Sequence, residues 1–178
     1  MFSLNAIYAL VWLFALYKWG DYKNWRKYYP TILFYILGNF IYLYLLSETY
    51  PMWRYNPQGI NEDIGLTNAH ISFSIMIIQY PATILIYLSR FPERKWKNQL
   101  LFVIGWVLLY ALQEFIDIKF NFMDYYNGWN FYWSILFNFV MFIILRIHHT
   151  RPLLAWLLSF LFIIFLWNVF DVPKEAFK

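Results

Sequence analysis

Six long apolar stretches restrict this sequence more than any other feature. They run approximately over Phe2–Tyr17, Thr31–Leu46, Ala69–Ser89, Leu100–Ile116, Asn130–Ile147 and Leu153–Phe170. Each is 16 to 21 residues long, close to what a helix needs to cross the hydrocarbon of a bilayer. They are apolar all round rather than along one stripe, as lipid-facing helices are. Hydrocarbon offers no partner to a backbone amide, so a spanning segment must bond its own N–H and C=O groups, and a helix does so within one segment. A transmembrane barrel would instead show strands of about ten residues alternating polar with apolar.

Composition agrees with this reading. The 178 residues are 62% hydrophobic, 25% aromatic and only 13% charged, whereas about a quarter of a soluble domain is charged. The expected fold is therefore an all-α polytopic integral membrane protein, with about six transmembrane helices arranged as three hairpins in a single domain over residues 1–178. No basic stretch precedes the first apolar run and no small-residue cleavage site follows it, so that run is expected to stay as a membrane helix.

Placement of charge sets an orientation. The connections after the first, third and fifth runs hold Lys18, Lys23, Arg26, Lys27, Arg90, Arg94, Lys95, Lys97, Arg146 and Arg151, ten of the fourteen basic residues, but only Asp21 and Glu93 among the ten acids. Lys and Arg are retained on the cytoplasmic side, and short loops count most. The chain is thus expected in the cell membrane as a multi-pass protein with both termini extracytoplasmic. KWGDYKNWRKYYP, residues 18 to 30, interleaves bases with aromatic rings. In a nucleic-acid binder such residues form a continuous surface; here the bases are spread over three membrane-proximal loops, where they meet anionic headgroups while the rings sit at the interface. The lipid bilayer is the expected partner and nucleic acid is not. Pro30 is expected in the first turn of the second helix, Pro81 inside the third. The connection at roughly 47 to 68, with Pro51, Pro57 and Gly59, is expected to be irregular.

There is no cysteine, and no phosphate-binding, dinucleotide, zinc-protease or nucleophile-elbow motif. Adjacent His148 and His149 point to different faces of a helix and make a poor metal pair. No cofactor or metal is expected. Polar residues inside the apolar runs say more, because hydrocarbon makes them costly. Tyr110, Gln113, Glu114 and Asp117 fall at i, i+3, i+4 and i+7, on one face of the fourth helix. Asn130, Ser134 and Asn138 form a stripe on the fifth, His70 and Ser74 are one turn apart on the third, and Asn39, Gln79 and Asn138 come near mid-membrane. Pro81 removes the amide that would bond the Ile77 carbonyl, beside Gln79.

These positions suggest an outward-facing vestibule that binds a small molecule or cation, with Glu114, Asp117, Gln113, Tyr110, Asn138, Ser134, His70 and Gln79 as candidate ligand residues. The plainer reading is that the amides glue helices together, in a structural or accessory subunit whose partner is another membrane protein. An intramembrane acid–base enzyme is the least supported, because no nucleophile or metal cluster accompanies Glu114 and Asp117.

Three stretches, KWGDYKNWRKYYPTILF, NGWNFYWSILFNFVMF and RPLLAWLLSFLFIIFLWNVFDVP, together resemble a family of small, aromatic-rich multi-pass membrane proteins of spore-forming Gram-positive bacteria. The resemblance implies a cytoplasmic-membrane location and no particular chemistry.

Overall fold

A computed structural model describes residues 4–57, 63 and 65–176; Phe2, Gly59 and Lys178 lie outside them. Among the described residues six long helices form: α1 (Leu4–Trp19), α2 (Trp25–Leu45), α3 (Asn68–Tyr87), α4 (Trp96–Lys119), α5 (Phe131–Thr150) and α6 (Pro152–Val169). Five of them, α2 to α6, are long and apolar enough to cross a membrane. The 16 residues of α1 make a helix of about 24 Å, short of a full hydrocarbon thickness.

Two helices start earlier than their apolar runs. The second run starts at Thr31, but α2 begins at Trp25, so Pro30 lies more than a turn inside the helix rather than in its first turn. Likewise α4 begins at Trp96, four residues before Leu100. Hydrophobicity marks where hydrocarbon begins, whereas a helix can continue through interfacial residues such as Arg26, Lys27, Lys97 and Asn98. Pro81 does lie inside α3.

Contacts sort the connections onto two ends of the bundle. At one end Asp21 N–H donates to the Leu85 carbonyl at 3.3 Å, Arg90 Nε to the Trp19 carbonyl at 2.9 Å, and Thr31 Oγ1 lies 3.0 Å from His148 Nδ1. Arg146 also stacks over the Phe91 ring at 4.6 Å. This is the basic end. At the other end the connections after α2 and α4 meet in a two-stranded antiparallel sheet, β1 (Trp53–Tyr55) with β2 (Met123–Tyr125), in the register Trp53↔Tyr125, Arg54↔Asp124, Tyr55↔Met123. The chain after α6 joins them there, with the Tyr50 hydroxyl donating to the Phe170 carbonyl at 3.0 Å. The expected irregular connection thus contains a strand, and this sheet end gathers both long loops.

Helix neighbours only partly follow chain order. α2 with α3, α4 with α5 and α5 with α6 pair as sequential neighbours, but α1 packs chiefly on α3 rather than on α2, and α2 also on α5. α3 is the most enclosed, with half of its span buried against 11% for α6. Its C-terminal half, with Ile84, Leu85 and Tyr87, meets Tyr28, Ile32, Tyr35, Val107 and Phe142 in the main apolar core. Tyr87 is fully buried there, and its hydroxyl donates to the Phe142 carbonyl at 2.9 Å. Outward faces carry residues such as Leu101, Leu108, Leu153, Leu161 and Ile164, all exposed, a surface matched to hydrocarbon rather than water.

Candidate functional site

The period of α4 places Tyr110, Gln113, Glu114 and Asp117 on one face, and that face meets α3 and α5 beside a cavity of ≈ 300 Å³. This is at the lower end of the range for small-molecule pockets. Seven of the eight candidate residues line it: Gln79 from α3, Tyr110, Gln113, Glu114 and Asp117 from α4, and Ser134 and Asn138 from α5.

His70 does not. It sits at the exposed start of α3, where its Nδ1 accepts from the Thr67 backbone N–H at 3.1 Å and lies 2.9 Å from Thr67 Oγ1. It completes a capping box, satisfying groups that the first helical turn leaves without partners. Ser74, one turn on, donates to the Ile71 carbonyl at 2.7 Å. Spacing put His70 and Ser74 on one face, but that face turns away from the cavity. Asn130 is also a cap: its side chain accepts from the Tyr132 and Trp133 N–H groups. At the sheet end Glu48 pairs with Arg54 at 3.3 Å. Trp106 packs at 6.3 Å from Trp12 and 5.7 Å from Phe142.

Several polar groups of the cavity are hydrogen-bonded. Gln79 and Gln113 face each other reciprocally, each amide nitrogen donating to the other's oxygen, at 3.2 and 3.1 Å. Trp12 Nε1 donates to the same Gln113 oxygen at 3.4 Å. The Thr83 and Tyr110 hydroxyls are 2.7 Å apart. The Tyr125 hydroxyl, from β2, donates to Glu114 Oε1 at 2.5 Å, and Trp129 Nε1 donates to Ser134 Oγ at 2.8 Å. The Tyr8 hydroxyl faces Asp117, a residue only 6% exposed. Asn39 and Asn138 border the same space.

Burial pushes the Tyr55 hydroxyl well above the ordinary tyrosine value, and the facing Asp117 charge adds to the shift. Burial also raises Tyr125, aided by its hydrogen bond to Glu114. Both hydroxyls thus stay protonated at neutral pH and keep a donor for the acidic cluster.

Several wall residues carry no polar pattern by which the sequence could mark them. Tyr35 stacks on Tyr80 with centroids 3.7 Å apart and planes 10° from parallel. Trp53 stacks on Tyr42 at 4.1 Å, and the Tyr42 hydroxyl donates to the Trp53 carbonyl at 2.6 Å. Trp53, Tyr55, Met123 and Trp129 lie over the polar cluster as a roof at the sheet end. The paired loops therefore lie against the polar end of the cavity. No Lys, Arg or His is among the described residues that line the cavity. Comparison with protein families, with characterised proteins and with solved structures returns no match to this chain.

Proposed function

We propose that this chain is a multi-pass protein of the cell membrane that binds a small molecule or cation at the acidic, amide-lined end of its cavity. All six helices cross the bilayer in this reading, the basic end faces the cytoplasm, and both termini and the sheet end lie outside. The resemblance to the aromatic-rich membrane proteins of spore-forming bacteria is part of the same proposal.

The observation that carries it is the convergence of Glu114, Asp117, Gln79 and Gln113 on one cavity that no basic side chain among the described residues lines. Two carboxylates without a basic partner suit a cation or a hydrogen-bond donor. Aromatic walls add the negative faces of their rings, which attract cations where water is excluded. Bound ligand stabilises the folded state by mass action, so a thermal-shift screen of purified protein against metal ions, amines, lipids and apolar metabolites tests the reading. A stabilising compound whose effect is lost in Glu114→Gln supports it. A complete screen without any such compound contradicts it.

One observation favours a second reading, a non-catalytic accessory subunit of a larger membrane complex. Of the 18 residues of α6, Ala155 alone is buried, which leaves a full helix face for either lipid or a partner helix. Co-purification of a stable partner, with Glu114→Ala/Asp117→Ala retained in the complex, would select this alternative.

A further inference from the structure

The cavity does not stop at its polar end. Its walls continue down the bundle between α2 and α6, past Gly38 and Ile41 on one side and Ile163 and Leu166 on the other. Both helices lean on α5, but they scarcely touch each other. The gap between them is closed at its two ends. At the basic end Phe34 meets Trp156 edge to face at 4.8 Å; at the sheet end Tyr50 holds the Phe170 carbonyl, beside the Met52, Trp129 and Phe170 cluster. Between these closures, Gly38 takes up no room: a Cβ added there would meet nothing within 4 Å. The result is a side window at mid-helix depth, leading from the lipid-facing surface to Glu114 and Asp117 under the roof of Trp53 and Tyr55.

We infer that the ligand is a cationic amphiphile drawn from the bilayer through this window, with its ammonium head against Glu114 and Asp117 and its apolar chain lying between α2 and α6. This inference rests on the ligand-binding reading above and narrows it. The roofed sheet end and the open flank make the membrane, rather than bulk water, the source. The acidic, base-free polar end selects the sign of the head, and the aromatic walls suit an alkylated ammonium in particular. The long apolar wall accounts for the chain, whose burial adds affinity with every methylene.

The test compares decyltrimethylammonium, decanol, decyl sulfate and tetramethylammonium, at matched membrane concentrations, by thermal shift of the full chain in zwitterionic nanodiscs. The inference predicts that decyltrimethylammonium binds at least about tenfold more tightly than tetramethylammonium, because its chain is buried, and more tightly than decanol or decyl sulfate. Gly38→Leu, which fills the window, should remove that chain-dependent gain and bring decyltrimethylammonium down to the level of tetramethylammonium. Ile163→Trp obstructs the window from the opposite helix and replaces Gly38→Leu should that variant not fold. Equal binding of the long and short cations would overturn the inference but leave the ligand-binding reading standing. Decanol or decyl sulfate matching the cation would overturn it too. If no cation binds at all and Glu114→Gln behaves as wild type, both readings fail together.

Discussion

The reciprocal Gln79–Gln113 pair shows how single residues hold the site. Each amide satisfies the other, so replacing one strands its partner, whereas replacing both leaves only the Trp12 indole N–H, which donates weakly to Gln113, without that acceptor. Interhelical hydrogen bonds in membranes are worth about 0.6 kcal/mol on average and up to about 1.7. Gln79→Leu and Gln113→Leu should each destabilise the protein by roughly 1 kcal/mol, and the double variant should cost clearly less than the two together. Reversible unfolding in mixed detergent micelles measures the cycle; strictly additive losses would show that the pair is not coupled. Much of this cluster was legible in the sequence, because a polar side chain in an apolar run stands out and the 3.6-residue period fixes its face. The period does not say which face turns inward, however. That is why Glu114 and Asp117 line the cavity while His70 caps a helix. Tyr35, Tyr80 and Trp53 were not legible at all, since in a chain that is 25% aromatic one more ring carries no signal.

Among the elements, the helices were easier to read than their neighbours. Long apolar runs stand out in a sequence, and they recover all six to within a few residues, apart from the interfacial extensions at Trp25 and Trp96. Nothing comparable marks the sheet. Its strands are three residues each, separated by the whole of α3 and α4, and isolated two-stranded pairing is marginal without packing against other elements. Here that packing comes from the Met52, Trp129 and Phe170 cluster beneath it. Arg54 and Asp124 are directly opposed in this register. Opposed residues of an antiparallel pair have Cα atoms about 4.5–5.5 Å apart, within reach of a disulfide. The native chain has no cysteine, so Arg54→Cys/Asp124→Cys gives an unambiguous probe. Mild oxidation should produce an intramolecular cross-link seen as faster migration on non-reducing gels. Failure to cross-link, with the protein folded, would mean that the two loops do not pair.

For the whole molecule, one asymmetry organises everything else: ten of the fourteen basic residues fall on the connections and helix ends of one end, and the acidic cavity approaches the other. In the proposed reading, retention of bases in the cytoplasm points the cavity outward. The short α1 is decisive, because six crossings put its first residues on the same side as the sheet, and five put them opposite. Single cysteines introduced at Asn5, Asn24, Thr49, Asn98, Asn127, Thr150 and Glu175, labelled in intact cells with a membrane-impermeant maleimide, read this directly. The account predicts labelling at Asn5, Thr49, Asn127 and Glu175, with Asn24, Asn98 and Thr150 modified only after the cells are opened. Labelling in the reverse sense, or Asn5 sharing the side of Asn24, would contradict it.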